Sequence, residues 1–210
     1  SSKSGDSLFI KAGLYKESNI IIYKKSLHIT GEEGTIIDTQ NNGYGFSVEA
    51  TDIIIKNLII KNIEVSYTKE YAAILLFKSY DFIIENITVE NAFFGFLIQK
   101  SKNGVVHNNT ISGKGKAEAD SGNAIHLWHC ENIKITNNDV RRMRDGIYLE
   151  FGNSSYISNN YSTENMRYGL HFMFSNNNTY EHNTFEANGA GVAVMFSKKI
   201  KMYNNIFKKN

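Results

Sequence analysis

Proline is absent from this 210-residue chain, and cysteine occurs once, at Cys130. A lone thiol cannot close an intrachain disulfide, so the stapled small-domain class is excluded while the compartment stays open. No apolar run approaches the ~18 residues that a helix needs to span a bilayer, so no direct membrane span is expected. The net charge is only +2, and basic residues never interleave with aromatics in a run, which sets nucleic-acid binding aside. The opening Ser1-Ser2-Lys3-Ser4 lacks the apolar core of a secretion signal. That start fits a processed chain, a trimmed one or a protein that is never exported.

What is present is 16 glycines, abundant asparagine, and many Ile, Tyr and Phe residues. Close-stacked strands joined by turns favour this mixture, because Asn and Gly tolerate left-handed backbone angles and the aromatic and β-branched residues suit a sheet. Composition therefore points to an extracytoplasmic β protein forming one domain with a continuous core.

Periodicity sharpens the assignment. Asparagines recur at Asn57, Asn86, Asn109, Asn138, Asn160, Asn183 and Asn205, with gaps of 29, 23, 29, 22, 23 and 22. Apolar residues alternate around each one, as expected for one coil of a parallel β-solenoid per repeat, about 22 residues long. The amides are expected to stack as a single hydrogen-bonded ladder. Coils stack about 4.8 Å apart, so residues of equal phase become neighbours. Residues 1–56 read as irregular first coils and 57–210 as regular ones, within a single domain spanning 1–210. The final Asn205–Asn210 stretch stops midway through a coil, and further coils or a cap are expected beyond it.

A small residue opens one strand of each coil: Gly45, Ala73, Gly95, Ala124, Gly146, Gly169 and Gly191. The next residue and the one two further on are apolar throughout, from Phe46 and Val48 to Val192 and Val194, and fill the core. On this alignment the two 29-residue gaps become ordinary coils carrying six or seven extra residues just before the same strand. Tyr67–Glu70 and Lys114–Asp120 are those inserts, stacked on one side.

Two columns then point outward. One reads Ser47, Leu75, Leu97, His126, Tyr148, His171, Ala193; the other reads Glu49, Phe77, Gln99, Trp128, Glu150, Met173, Met195. His171 and Met173 share a strand face, and Met195 falls beside Met173 on the next coil. Imidazole and thioether donors in this arrangement suit a soft ion such as Cu(I). Packing beneath a loop, a lid or another protein explains Met173 and Met195 equally well, and His126 and His171 also read as solvated sheet residues. Cys130 falls in a column with Thr51, Ser79, Ser101, Gly152, Ser175 and Ser197, as a small turn residue. His28, His107 and His182 are read as bystanders. A carbohydrate-active alternative pairs Asp145 with Glu150 as carboxylates and uses Arg141, Arg142, Arg144 and Arg167 to hold sugar acids. Against it, Glu150 is the one acid in the central part of the outward columns, and the Arg141–Asp145 run reads as solvated turn charges.

The segment Arg167-Tyr168-Gly169-Leu170-His171-Phe172-Met173-Phe174-Ser175-Asn176, followed one coil later by Gly189-Ala190-Gly191-Val192-Ala193-Val194-Met195-Phe196-Ser197-Lys198, resembles the paired signature of the NosD family. Arg144-Asp145-Gly146-Ile147-Tyr148 resembles that family's preceding coil. The resemblance covers roughly residues 100–205 and implies an all-β, right-handed, single-stranded parallel β-helix located in the periplasm. It further implies an accessory role in nitrous-oxide reductase maturation, with transient Cu(I) received from a copper chaperone lipoprotein. An ABC transporter made of an ATPase and a membrane subunit is implied as the docking partner. Carried onto this chain, His171, Met173, Met195 and His126 are the metal-handling positions, and Trp128, Tyr148, Glu150 and Arg167 the partner-binding ones. On this reading there is no catalytic residue and no enzymatic turnover. A metal-free interaction scaffold is the third reading.

Overall fold

The computed structural model describes residues 2–210. The chain winds as a right-handed parallel β-solenoid of about nine turns, each about 23 residues long. Among the described residues the one helical segment is a short 3-10 turn at Glu118–Asp120 within the second insert. An eight-stranded parallel sheet runs Ile20–Tyr23, Phe46–Glu49, Ala72–Phe77, Phe94–Gln99, Ile125–Trp128, Ile147–Glu150, Tyr168–Met173 and Ala190–Met195. A sixteen-stranded sheet forms the other sides, joined through the long strands Thr51–Lys61 and Tyr80–Ala92.

The alignment on small residues predicts the register correctly. Phe46 pairs with Ile74, Ile74 with Phe96, Phe96 with Ile125, Ile125 with Ile147, Ile147 with Leu170, and Leu170 with Val192. Both apolar columns are buried from Phe46 through Phe172. Each such side chain contributes about 2 kcal/mol on removal from water. Val194 is 48 % exposed, because its strand lies at the edge of the eight-stranded sheet. Steric limits explain the small column: a Cβ on Gly146 would approach the Gly169 carbonyl oxygen to 2.6 Å and the Ser162 hydroxyl to 2.2 Å.

The asparagine pattern requires a correction. It comprises two adjacent columns, not one ladder. Asn57, Asn86, Asn108, Asn137, Asn159 and Asn204, with His182 among them, occupy left-handed corner positions with φ between 49° and 59°. The next residue along points into the core, and there the order is Leu58, Ile87, Asn109, Asn138, Asn160, Asn183 and Asn205. Only the last five build the inner ladder, in which each of the first four donates a side-chain N–H to the next amide oxygen at 2.9–3.0 Å. Asn57 and Asn86 instead stack outside, where Asn86 donates to Asn57 at 3.1 Å. Asparagine was selected in the two columns for different reasons, left-handed tolerance in one and buried backbone satisfaction in the other.

The turn column holding Cys130 needs a smaller change. Ser79 accepts from Ala50 N–H at 3.4 Å, and Tyr80 pairs with Thr51, so Ala50 takes the place assigned to Thr51. Cys130 fills its expected place, buried, with the thiol donating to the Ile98 carbonyl at 3.2 Å. Burial pushes this thiol up to about 11.

Two predictions arise from these columns. Asn160 makes four hydrogen bonds at 2.9 Å, to Ile135, to Asn183 and twice to Asn138. Asn160→Ala is expected to lower unfolding free energy by about 3 kcal/mol in urea denaturation, whereas Asn205→Ala, half-exposed, costs about 1 kcal/mol. Cys130 should resist aromatic disulfide reagents at pH 8 in the native protein and react fully once unfolded. Because its folded value lies above the unfolded 9.0, its stability contribution is complete below pH 9 and is lost as pH rises towards about 11. Cys130→Ser should flatten that part of the alkaline stability profile.

Candidate functional site

The outer side of the eight-stranded sheet carries the two columns in the expected register. His126, Tyr148, His171 and Ala193 are successive partners, as are Trp128, Glu150, Met173 and Met195. The inserts rise on the same side: residues 66–70 and 118–121 share one cavity of about 310 Å³ with Phe93, Phe94 and Arg144. Glu70 from the first insert also closes a pocket of about 260 Å³ with Gln99, His126, Trp128 and Glu150.

The imidazoles point away from the core yet are not in water. His126 is 5 % exposed and His171 is 2 % exposed. Aromatic rings cover them in one continuous pile. Phe94 lies 6.0 Å from His126, Tyr148 lies 4.7 Å from His126 and 4.5 Å from His171, and Tyr168 meets His171 edge-on at 4.8 Å. The Tyr148 ring thus separates the two histidines. His171, Met173 and Met195 are neighbours by register, while His126 stands apart from them.

Each histidine has its own carboxylate. His171 Nδ1 lies 3.2 Å from Asp145 Oδ2, and Asp145 is 1 % exposed. Asp145 Oδ1 accepts the Tyr168 N–H at 3.3 Å and lies 3.7 Å from Arg167 Nε, whose guanidinium sits 5.0 Å over the Tyr168 ring. The expectation of solvated turn charges is therefore corrected for Asp145. The coil carrying Arg167 and Tyr168 covers the corner that would otherwise be open to water. Glu150, on the other side of Tyr148, places Oε2 3.8 Å from His126 Nε2. His126 holds the Glu150 carboxyl below its ordinary range, against the opposing effect of burial. Asp145 and Glu150 thus serve separate imidazoles and do not form a catalytic pair. Between them Tyr148 is pushed up to about 12, by burial first and then by both carboxylates, so its phenol stays neutral.

Three buried imidazole nitrogens have no hydrogen-bond partner: both of His126 and Nε2 of His171. Buried polar atoms are ordinarily satisfied, so these are positions where a ligand atom or water has a favourable place. Among the described residues no three His, Cys, Asp or Glu side chains converge as a metal cage. The arrangement instead offers isolated nitrogen donors beside half-buried thioethers. Lys100 lies 5.1 Å over the Trp128 ring. The remaining arginines do not converge: Arg141 pairs with Asp139, Arg142 is exposed and left-handed, and Arg144 donates to Asn123 at 3.4 Å. His28, His107 and His182 lie elsewhere, near Asp52, Thr136 and Glu181 respectively.

One feature escaped the sequence reading. His129, Phe151, Phe174 and Phe196 stack along the corner next to Trp128, Glu150, Met173 and Met195, at ring spacings of 4.5, 5.2 and 5.0 Å. All four are left-handed, with φ of 49–53°, a conformation unfavourable for bulky residues. The three phenylalanines are 36 %, 43 % and 77 % exposed. The available signal was the recurrence of Phe before Gly152, Ser175 and Ser197, but phenylalanine carries no left-handed preference that would have marked it.

Two family profiles match the chain. The right-handed β-helix region matches residues 12–122, and the periplasmic copper-binding protein (NosD) matches residues 111–210. No curated protein matches. Among solved structures, the chain superimposes on PfbA, a surface adhesin of Streptococcus pneumoniae, with TM-score 0.78 and 16% identity over 95% of this chain and 63% of that one. The A-module of mannuronan C-5 epimerase AlgE4 from Azotobacter vinelandii gives TM-score 0.70 and 12% identity over 96% and 68%. DFA-IIIase from Arthrobacter chlorophenolicus A6 gives 0.80 and 16% over 97% and 57%. These identities establish a common fold and nothing finer. They do correct the expectation of a non-enzyme, since epimerases and DFA-IIIase are built on this scaffold and the fold therefore does not exclude turnover. By its match over residues 12–122 the chain belongs to the right-handed β-helix family, and its C-terminal half is NosD-like.

Proposed function

We propose that this chain handles copper outside the cytoplasm, presenting Cu(I) for assembly of the copper–sulfur centre of nitrous-oxide reductase. The observation that carries the reading is a coincidence of two independent features. The NosD match at residues 111–210 spans all four soft-donor candidates, and the sheet register puts His171, Met173 and Met195 side by side. Cu(I) accepts few ligands and favours thioether and imidazole over carboxylate. The NosD family is described as periplasmic, and no helix here is long and apolar enough to cross a membrane. A copper-donating lipoprotein, the reductase and an ABC transporter are the proposed partners. The exposed Phe151, Phe174 and Phe196 stripe next to Met195 supplies apolar contact area of the kind such partners use.

A carbohydrate-active reading has one observation in its favour. The Glu70, Gln99, His126, Trp128 and Glu150 pocket combines an aromatic side chain with two carboxylates, and epimerases share the fold. It draws on His126 and Glu150, not on the His171 coil, so variants separate the two.

The test is an anaerobic Cu(I) titration against a competing chelator, comparing wild type with a His171→Ala, Met173→Ala, Met195→Ala triple variant of unchanged circular dichroism. Copper affinity should fall at least a hundredfold in the variant. Equal binding in both proteins, or none in either, would sink the copper reading and leave the face as a docking surface.

A further inference from the structure

The most unusual buried arrangement in the molecule is the Asp145–His171 pair, and its consequence is chemical. An ionised carboxylate only accepts hydrogen bonds. With Asp145 Oδ2 3.2 Å from His171 Nδ1, a neutral imidazole facing an ionised carboxylate carries its proton on Nδ1, and Nε2 then holds a bare electron pair. That Nε2 is sealed from solvent and has no partner. The carboxylate is itself restrained by the Tyr168 N–H at 3.3 Å and faced by Arg167 Nε at 3.7 Å, which offsets its charge in a site 1 % exposed. Tyr148 and Tyr168 lie against the ring at 4.5 and 4.8 Å and fix its plane. No other histidine among the described residues has this combination: His126 has only a 3.8 Å approach to Glu150, His28 and His182 are open to solvent with carboxylates no nearer than 3.8 Å, His107 bonds the neutral Thr136, and His129 is exposed against Phe151.

We propose that Asp145 is a positioning residue that locks His171 as the Nδ1–H tautomer, so that Nε2 is held ready as a nitrogen donor to a soft, low-coordinate metal ion. Resting on the copper reading, the proposal adds what that reading lacks, namely the group that selects which nitrogen binds. A carboxylate behind a ligating imidazole raises its basicity and fixes its orientation, and loss of such a partner typically costs ten- to hundredfold in metal affinity. Because Nε2 is sealed, an incoming ion reaches it only when the groups that cover it move.

Two measurements test this, and the first needs neither metal nor variant. Long-range 1H–15N correlation spectra of protein labelled at histidine nitrogen, with His171 assigned by its loss in His171→Ala, report the tautomer directly. The expected result is a protonated Nδ1 and a bare Nε2. A protonated Nε2 in the wild type overturns the proposal. The second is Cu(I) titration of wild type and Asp145→Asn, in which the amide can donate to Nδ1 and drive the proton to Nε2. Affinity should fall ten- to hundredfold, with the tautomer signal shifting in step, while Glu131→Gln, which removes only an exposed ion pair with Lys102, leaves both unchanged. Unaltered tautomer and affinity in Asp145→Asn also overturn the assignment. If the wild type shows the Nδ1–H form yet binds no Cu(I), the copper reading fails while the lock by Asp145 stands, so the two failures are distinguishable.

Discussion

The stacking of each coil on the next by parallel backbone hydrogen bonds is the constraint on which everything else rests. It holds residues of equal phase about 4.8 Å apart for the length of the chain. That spacing is also close to the contact distance of aromatic rings, which is why Tyr148 lies between two imidazoles and why Phe151, Phe174 and Phe196 form a stack. The inner ladder from Asn109 to Asn205 supports the register at the corner, because each amide satisfies the side chain and the backbone N–H of the coil before it. A slip by one residue would break the ladder and turn every outward side chain inward.

The inserts change the character of the face without changing the coils. Before each 29-residue interval closes, the extra residues leave the solenoid and rise beside the eight-stranded sheet. There Glu70 reaches the His126–Glu150 pocket, and residues 118–121 pack near Phe94 and Arg144. The face is thus graded along the solenoid axis. Around His126 it is a walled pocket with two carboxylates, at His171 it is a sealed imidazole with one, and by Met195 and Phe196 it is apolar and open. Polar chemistry is confined to the covered part and apolar contact area to the open part.

Sequence reading succeeded where one residue type has one reason to be where it is. At Gly45, Gly95, Gly146 and Gly169 an added Cβ would strike the next coil's backbone, so this column stays small and aligning on it recovered the register of every outward residue. It failed where one residue type serves two purposes. Asn86 and Asn109 look alike in sequence, yet one is a left-handed corner residue and the other a buried ladder rung. Thr51 and Ala50 were confused in the same manner, by a single-residue shift at a turn.

By itself, then, the amino-acid sequence determined the solenoid, its period, the two outward columns, the position of the inserts and the inert place of Cys130, because all of these depend on distance along the chain. Only the tertiary structure decided the environment of those columns. Asp145 is 26 residues from His171 and becomes its partner because the intervening coil returns over the corner. The same return buries a carboxylate that a linear reading places in water, and it leaves His171 Nε2 sealed and unpaired. Contact between coils depends on how corners fold over one another, and that is a property of three-dimensional closure which no spacing along one chain encodes.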